Sequence, residues 1–421
     1  MTDPDPLVES VSDESPVEAT PAPLLTLRDG LPPVIDTDEG LAEAAAALKA
    51  GTGPVGIDAE RASGYRYSNR AYLIQLRREG AGTWLIDPIG LSTMEPLIDA
   101  LDGVEWILHA ATQDLPCLAE LGLYPSALFD TELAGRLLGY PRVGLGTLVE
   151  AVLGRRMLKE HSAADWSTRP LPETWLEYAA LDVEVLTELR EALLAELVEQ
   201  GKDEWARQEF DALRSFEPTV RVEPWRRVSG SQRMRGRHLA AVRELWLERD
   251  AIAAEKDTTP GRLLPDVAII AAATALPTDR SSLLNLKGFH GRGSARYAAR
   301  WLSAIRRAID LPDSELPGRP PRGDGPPAPR AWAERDPVAA KRLEIAREAM
   351  TTLAEEHNVP VENLLTPDYL RRALWAPPAT RDPGDLIDRV ADLLAGLGAR
   401  GWQIALTAPL ITTAVLTADQ G

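Results

Sequence analysis

Between Leu24 and Leu213 short apolar runs alternate with helix-period stretches, and after Arg214 only helix-period segments remain; this switch confines the chain to two kinds of folding unit. In the first part, PVGIDAE is an apolar run ending in charge. AYLIQLRREGAGTWLIDP reads as two strands around a Gly-containing turn, and VEWILHA as a strand leading into a helix near Gln113–Leu121. Leu171–Leu197 repeats Leu, Ala and Glu in a helical pattern. Such alternation builds a mixed sheet covered by helices, because each apolar sheet face must be buried against another layer.

The second part opens with one long amphipathic pattern over residues 230–256, with Ser229 and Ser231 as candidate caps. Shorter segments broken by Pro260, Pro265 and Pro277 follow, then a helix over Ser294–Ile309 after the Gly-rich KGFHGRG. Residues 312–330 are Pro, Gly and Arg, the composition of a semi-extended linker that does not pack. From Ala331 to Trp402 the outline repeats: a long helix (Pro337–His357), a Pro-interrupted middle and a closing helix (Asp385–Leu397), as in a divergent duplication. The expected division is an acidic disordered tail (1–22), an α/β domain (23–213), a helical domain (214–311), the linker (312–330) and a second helical domain (331–421).

At 421 residues, with 44% hydrophobic and 26% charged, the chain has material for several cores. No apolar run approaches the ~18–20 residues that span a bilayer; the most apolar, Ala405–Val415, is broken by Pro409 and threonines. The N-terminus lacks a basic-then-apolar signal layout, and Cys117 is the single cysteine, which excludes an intrachain disulfide and a Cys-based zinc site. The expectation is a cytoplasmic protein without a membrane partner. Net charge is −18, yet Thr219–Asp310 holds 17 basic and 9 acidic residues (net +8), against 15 and 31 (net −16) over Pro33–Ala212. A basic module can bind phosphates and clustered carboxylates can hold cations; solvated faces are the ordinary alternative.

Asp58 and Glu60, in VGIDAE, fall on one face of a strand by its period of two. Two carboxylates so close repel unless a cation neutralises them, and hard Mg²⁺ or Mn²⁺ suits oxygen donors. Asp114, in ILHAATQDL, follows a later strand within the first helical turn, where an acid also simply complements the helix dipole. Tyr178 and Asp182, in EYAALDVEVL, are four apart and stack on one helix face. Each piece alone has a structural reading. Together, in this order within one α/β domain, they resemble the DEDDy exonucleases, and the ribonuclease D family fits best. YLIQL, LHAATQDL and LKEHSAADWSTRPL before YAALDVEVL match it too, over Pro33–Leu213. The stretch from LAAVRELWLERD to NLKGFHG resembles the HRDC domain, with 331–402 a more divergent copy.

The resemblance implies a ribonuclease H-like mixed sheet with flanking helices followed by two all-α HRDC-type domains. It implies a 3′→5′ exoribonuclease using two divalent cations, Mg²⁺ or Mn²⁺. Asp58, Glu60, Asp114 and Asp182 would hold them, and Tyr178 would position the attacking water. The implied partner is RNA with a free 3′ end, transfer RNA precursors among them; a DNA exonuclease and a non-catalytic nucleic-acid scaffold are the alternatives. Gln75 is a candidate for shaping the site, with Lys159 and Arg169 for substrate phosphates near the cleft. Arg233, Arg235, Arg237, Lys287, Arg292 and Arg296 are candidate phosphate contacts on the helical module.

Overall fold

In the computed structural model the chain is described over residues 21–420 except 159–162, 220, 290 and 319–323, and for Arg292 no side-chain placement is described. The sheet comprises β1 (Val34–Ile35), β2 (Thr52–Arg61), β3 (Ala71–Glu79), β4 (Gly82–Ile86), β5 (Glu105–Leu108) and β6 (Ala127–Asp130), in the order β1-β4-β3-β2-β5-β6. β2, β3 and β4 are antiparallel neighbours, while β5 and β6 run parallel to β2 and β1 parallel to β4. Gly80 and Gly82, at φ +78° and +75°, make the tight β3–β4 turn that side chains with a Cβ resist.

Helices α1 (Asp38–Ala50), α2 (Glu95–Leu101), α3 (Leu115–Ala119), α4 (Thr131–Leu137), α5 (Leu145–Leu153), α6 (Glu173–Glu184), α7 (Leu186–Glu199) and α8 (Asp203–Leu213) complete the first domain. Strand period divides β2 between two layers. Val55, Ile57 and Ala59 pack with Leu41, Leu48, Leu97 and Leu101 of α1 and α2, which frees Asp58 and Glu60 for the other face. There Gly56 lets the α6–α7 junction approach: a Cβ on it would lie 3.2 Å from Leu186 Cβ. The single helical pattern over Leu171–Leu197 is thus two helices broken at Val185, seated directly on the strand that carries the two acids.

The first helical unit holds α9 (Gly236–Lys256), α10 (Pro260–Leu263), α11 (Asp266–Ala275), α12 (Arg280–Leu284), α13 (Arg292–Arg296) and α14 (Ala298–Asp310), around a core that includes Trp301, Leu245 and Ile269. The second holds α15 (Trp332–Arg335), α16 (Pro337–His357), α17 (Val361–Leu364), α18 (Pro367–Trp375), α19 (Pro383–Leu397) and α20 (Gly401–Asp419). The duplicated outline extends to docking. α9 and α16 each span 21 residues and end on a left-handed non-glycine residue, Asp257 (φ 43°) and Asn358 (φ 48°). Asp257 accepts hydrogen bonds from the backbone of Tyr67 (3.2 Å) and Ser68 (3.0 Å) in the β2–β3 loop. Asn358 donates to the Leu138 carbonyl (3.0 Å), and any Cβ on the neighbouring Gly139 would collide with its amide. The two units therefore grip the first domain at two separate sites through equivalent positions.

The second unit goes further and shares a core with the α/β domain: Leu148, Leu189, Phe210, Leu343, Ile411 and Val415 belong to one buried cluster. Several local expectations are corrected. Ser229 and Ser231 cap nothing; α9 starts at Gly236, and the Ser231 hydroxyl donates to the Arg226 carbonyl at 2.6 Å. The helix expected over Ser294–Ile309 is split into α13 and α14. The described parts of the linker do pack, with Trp332 Nε1 donating to Pro327 (2.8 Å) and Asp324 paired to Arg372 (3.0 Å). The tail 1–20 lies outside the described residues. Ala405–Val415 lies within α20, the one described helix long and apolar enough to cross a membrane; half of that stretch is buried in the shared core.

Candidate active site

β2 presents Asp58 and Glu60 side by side, paired to Gln75 and Leu73 of β3. α6 crosses this face because Ala179 and Ala180 are small enough to pack flat on Leu73 and Leu85. One helical turn separates Tyr178 from Asp182, so both side chains descend onto the same strand end. Carboxylate oxygens of Asp58, Glu60 and Asp182 come within 4.8 Å of one another. A set of hard oxygen donors at that separation fits a divalent cation.

Asp114 arrives by a different route. β5 pairs with β2 through Val55–Trp106 and Gly56–Ile107 and ends at Leu108, so the chain leaves it beside the part of β2 that carries Asp58 and Glu60. The chain leaves β5 through Ala110, held at φ 59° and ψ 53°, and one 3₁₀ turn (Ala111–Gln113) before Asp114 at the N-cap position of α3, where its side chain makes no capping bond. Asp130 holds that turn. Its carboxylate accepts from the backbone N–H of Ala110 (3.1 Å) and Ala111 (2.9 Å), and caps α4 through Glu132 (2.9 Å) and Leu133 (3.1 Å). Left-handed backbone at alanine costs about 1 kcal/mol, and these bonds offset it. Asp130 was missed in the sequence, although an Asp immediately before a helical pattern is a capping signal.

Asp58, Glu60, Asp114, Tyr178 and Asp182 line one cavity of about 250 Å³, together with Arg61, His109 and Gln113. Burial raises Asp58, Asp114 and Asp182 above the usual carboxylate range, and Asp58 and Asp114 share a hydrogen bond. Burial, reinforced by Asp58, Asp182 and Asp114, pushes Glu60 up to about 10. Tyr178 is raised by burial and by Asp182, to which it is hydrogen-bonded, so its hydroxyl stays protonated. Burial drives His109 down to about 4; the neutral ring lies 2.8 Å from the Thr131 hydroxyl. Such a cluster resists carrying all its charges until cations share it.

The sign of that resistance can be measured. An acid raised on folding binds protons that the unfolded chain has released, so Glu60 destabilises the fold progressively as pH rises from about 4.5 towards about 10. Glu60→Gln in EDTA is expected to melt higher than wild type by a margin that widens between pH 6 and pH 8. A margin constant with pH would show that Glu60 ionises freely.

The remaining candidates divide. Gln75 is wholly buried, with neither amide atom partnered among the described residues, and it does not line the cavity. Arg169 is committed to the scaffold, pairing with Asp87 and donating to the Tyr72 carbonyl at 2.8 Å and the Trp166 carbonyl at 2.7 Å. Arg237 likewise ties α9 to the Leu311 carbonyl (2.6 Å) and Asp313 (2.8 Å). Lys159 and the Arg292 side chain lie outside the described residues. Arg233, Arg235, Lys287 and Arg296 are exposed. Elsewhere in the unit two arginines are engaged internally: Arg300 and Arg307 bridge Glu244, Glu248 and Glu255.

Comparison with known proteins identifies the units of the chain. Residues 32–198 match the family model described as 3′-5′ exonuclease, 238–305 the HRDC domain, and 325–415 the 3′ to 5′ exonuclease C-terminal domain. The ribonuclease D of Jannaschia sp. (strain CCS1) is 32% identical over 305 residues, 68% of this chain and 77% of that protein. Two further ribonuclease D relatives align over 66% of their length. Among solved structures, a protein from Bifidobacterium adolescentis is 38% identical with a TM-score of 0.84, covering 94% of this chain and 99% of its own. Escherichia coli RNase D, titled an exoribonuclease involved in structured RNA processing, is 25% identical with a TM-score of 0.64, covering 86% and 98%. A 3′-5′ exonuclease domain with its carboxylates assembled, an HRDC domain and a C-terminal helical domain stand here in one chain, and the chain belongs to the ribonuclease D family.

Proposed function

We propose that this protein is a 3′→5′ exoribonuclease that removes nucleoside 5′-monophosphates from the 3′ end of RNA, structured precursors such as those of transfer RNA being its substrates. The observation that carries the reading is the convergence of four carboxylates and a tyrosine hydroxyl from three separate elements on one cavity. Asp58, Glu60 and Asp182 would hold one divalent cation, Mg²⁺ or Mn²⁺, and Asp58 with Asp114 a second. Such a pair activates the attacking water and stabilises the leaving 3′-oxygen. Burial, with Asp182 and Glu60, keeps the Tyr178 hydroxyl protonated, and its one proton is donated to Asp182, so Tyr178 would position water by accepting a hydrogen bond rather than by removing its proton. Tyr178→Phe is expected to slow cleavage about 10²-fold with Mn²⁺ affinity unchanged; an equal loss of Mn²⁺ affinity would make Tyr178 part of the cation site. The five residues, the two cations and a cytoplasmic location are parts of the same reading.

The deciding assay offers 5′-labelled single-stranded RNA, its DNA counterpart and a 3′-blocked RNA, each with Mg²⁺, Mn²⁺ or EDTA. A metal-dependent ladder shrinking from the free 3′ end of RNA supports the reading. Faster DNA cleavage would make this a DNA enzyme, and binding without cleavage a scaffold. Exposed cations on the HRDC unit are expected to anchor longer RNA. Truncation is a poor test of this, because removing everything after Leu213 strips the apolar cover from α4, α5, α7 and α8. Replacing Arg233, Arg235, Lys287 and Arg296 by Ala should instead reduce the slope of log K against log salt by about 0.7 for each phosphate that is no longer neutralised. An unchanged slope would remove this face from the RNA path.

A further inference from the structure

The cavity contains a cation of its own. Arg61 directly follows Glu60 at the end of β2, and strict alternation would send it to the face opposite Asp58 and Glu60. The pairing with β3 shifts at this point, from Glu60–Leu73 to Arg61–Ala71, and a register shift of this kind re-aims a side chain. The Arg61 guanidinium lines the cavity with the four carboxylates and lies 3.4 Å from the Asp114 carboxylate. Its side chain is 28% exposed while that of Asp114 is 6% exposed. The pair is therefore long, one-sided and open on the arginine side, whereas Asp114 is fixed from below by the turn that Asp130 holds.

Resting on the two-cation reading above, we propose that Arg61 is a tethered counter-ion that holds Asp114 until the second divalent cation displaces it, and that the freed guanidinium then binds a phosphate of the RNA 3′ end. A guanidinium stays charged across the working pH range, so the competition is permanent. Asp114 cannot give full charge to Arg61 and to a metal at once; whichever takes it leaves the other in need of an anion. Substrate supplies that anion. Loading of the second cation and binding of the RNA 3′ end are thereby favoured together, and the site is protected from filling fully without substrate.

The test is isothermal titration of Mn²⁺ into wild type, Arg61→Gln, Asp114→Asn and the double variant, without substrate, alongside KM and kcat on a five-nucleotide RNA. Arg61→Gln is expected to bind the weaker of two Mn²⁺ ions about tenfold tighter, because a competing positive charge is gone. In the Asp114→Asn background the same substitution should have a much smaller effect, since the contested carboxylate is absent and only the pull of the guanidinium on Asp58 and Glu60 remains. KM for the RNA should rise about tenfold with kcat within about threefold. Arg61→Lys, which keeps the charge, should bind Mn²⁺ like wild type and shows that the position tolerates substitution. Mn²⁺ affinity unchanged or weakened in Arg61→Gln would overturn the proposal while leaving the two-cation reading intact. A tightening that persists undiminished in Asp114→Asn would also overturn it, by making Arg61 a diffuse charge rather than a competitor for Asp114. Wild type that binds no Mn²⁺ would bring down both.

Discussion

Asp182→Asn is expected to lower the exonuclease rate by about 10³-fold or more while raising the melting temperature in EDTA. The rate falls because Asp182 comes from α6 and closes, from above, the oxygen cluster that Asp58 and Glu60 open on β2. An amide of the same shape keeps the packing but removes a charge that a divalent ion requires, and even one lost electrostatic partner in a water-poor site costs about 10²–10³-fold. The melting temperature rises for the same reason seen from the other side. Burial already pushes Asp182 well above the usual carboxylate range, with Asp58 adding to the shift, so without metal its charge is a burden on the fold. Mn²⁺ should reverse the order, stabilising wild type and leaving the variant unmoved. Thermal melts of both proteins with EDTA and with Mn²⁺, beside the RNA ladder, decide it. A variant that melts lower than wild type in EDTA would mean that Asp182 is a structural acid.

Trp402→Ala is expected to destabilise the protein by about 3–5 kcal/mol, although the residue lies in the C-terminal unit and far from the carboxylates in sequence. Its ring stacks on Trp205 of α8 at 4.7 Å with an interplanar angle of 11°. Its indole N–H donates to the buried Glu209 at 3.0 Å, and its backbone N–H donates to the Gln208 side chain at 3.1 Å. Deleting the ring opens a cavity between α20 and α8 and leaves the buried Glu209 with its ion pair to Arg400 (3.3 Å) but without the indole donor. Because Leu189 and Phe210 of the catalytic domain share the cluster with Ile411 and Val415, unfolding should stay one transition, shifted down as a whole. Two separated transitions in calorimetry would show that the C-terminal unit is an independent domain.

The two local pairings within the candidate site were legible because local periodicity decides them. Period two places Asp58 beside Glu60, and the i,i+4 relation places Tyr178 above Asp182, whatever the rest of the chain does. The switch from alternating strands and helices to helices alone gave the order of the units for the same reason. Local rules failed where a distant partner outweighs them. α20 contains Pro409, which ordinarily costs a helix interior about 3 kcal/mol. Here Pro409 and the Ala405 backbone it leaves unpaired lie on the exposed side, while Ile411 and Val415 bury the other side. Arg169 has the composition of a phosphate ligand, yet Asp87 and three carbonyls from the folded chain claim it.

What the sequence by itself determined is local placement, with Asp58 and Glu60 on one strand face and Tyr178 and Asp182 on one helix face; that these and Asp114 form one set came from the resemblance to the DEDDy exonucleases. What only the tertiary structure decided is their meeting. β5 had to pair with β2, Asp130 had to pin the turn at Ala110, and Gly56 had to admit α6 and α7, before Asp114 and Asp182 could face Asp58. Strand pairing and helix seating are set by burial between residues far apart in the chain, and no local period records them.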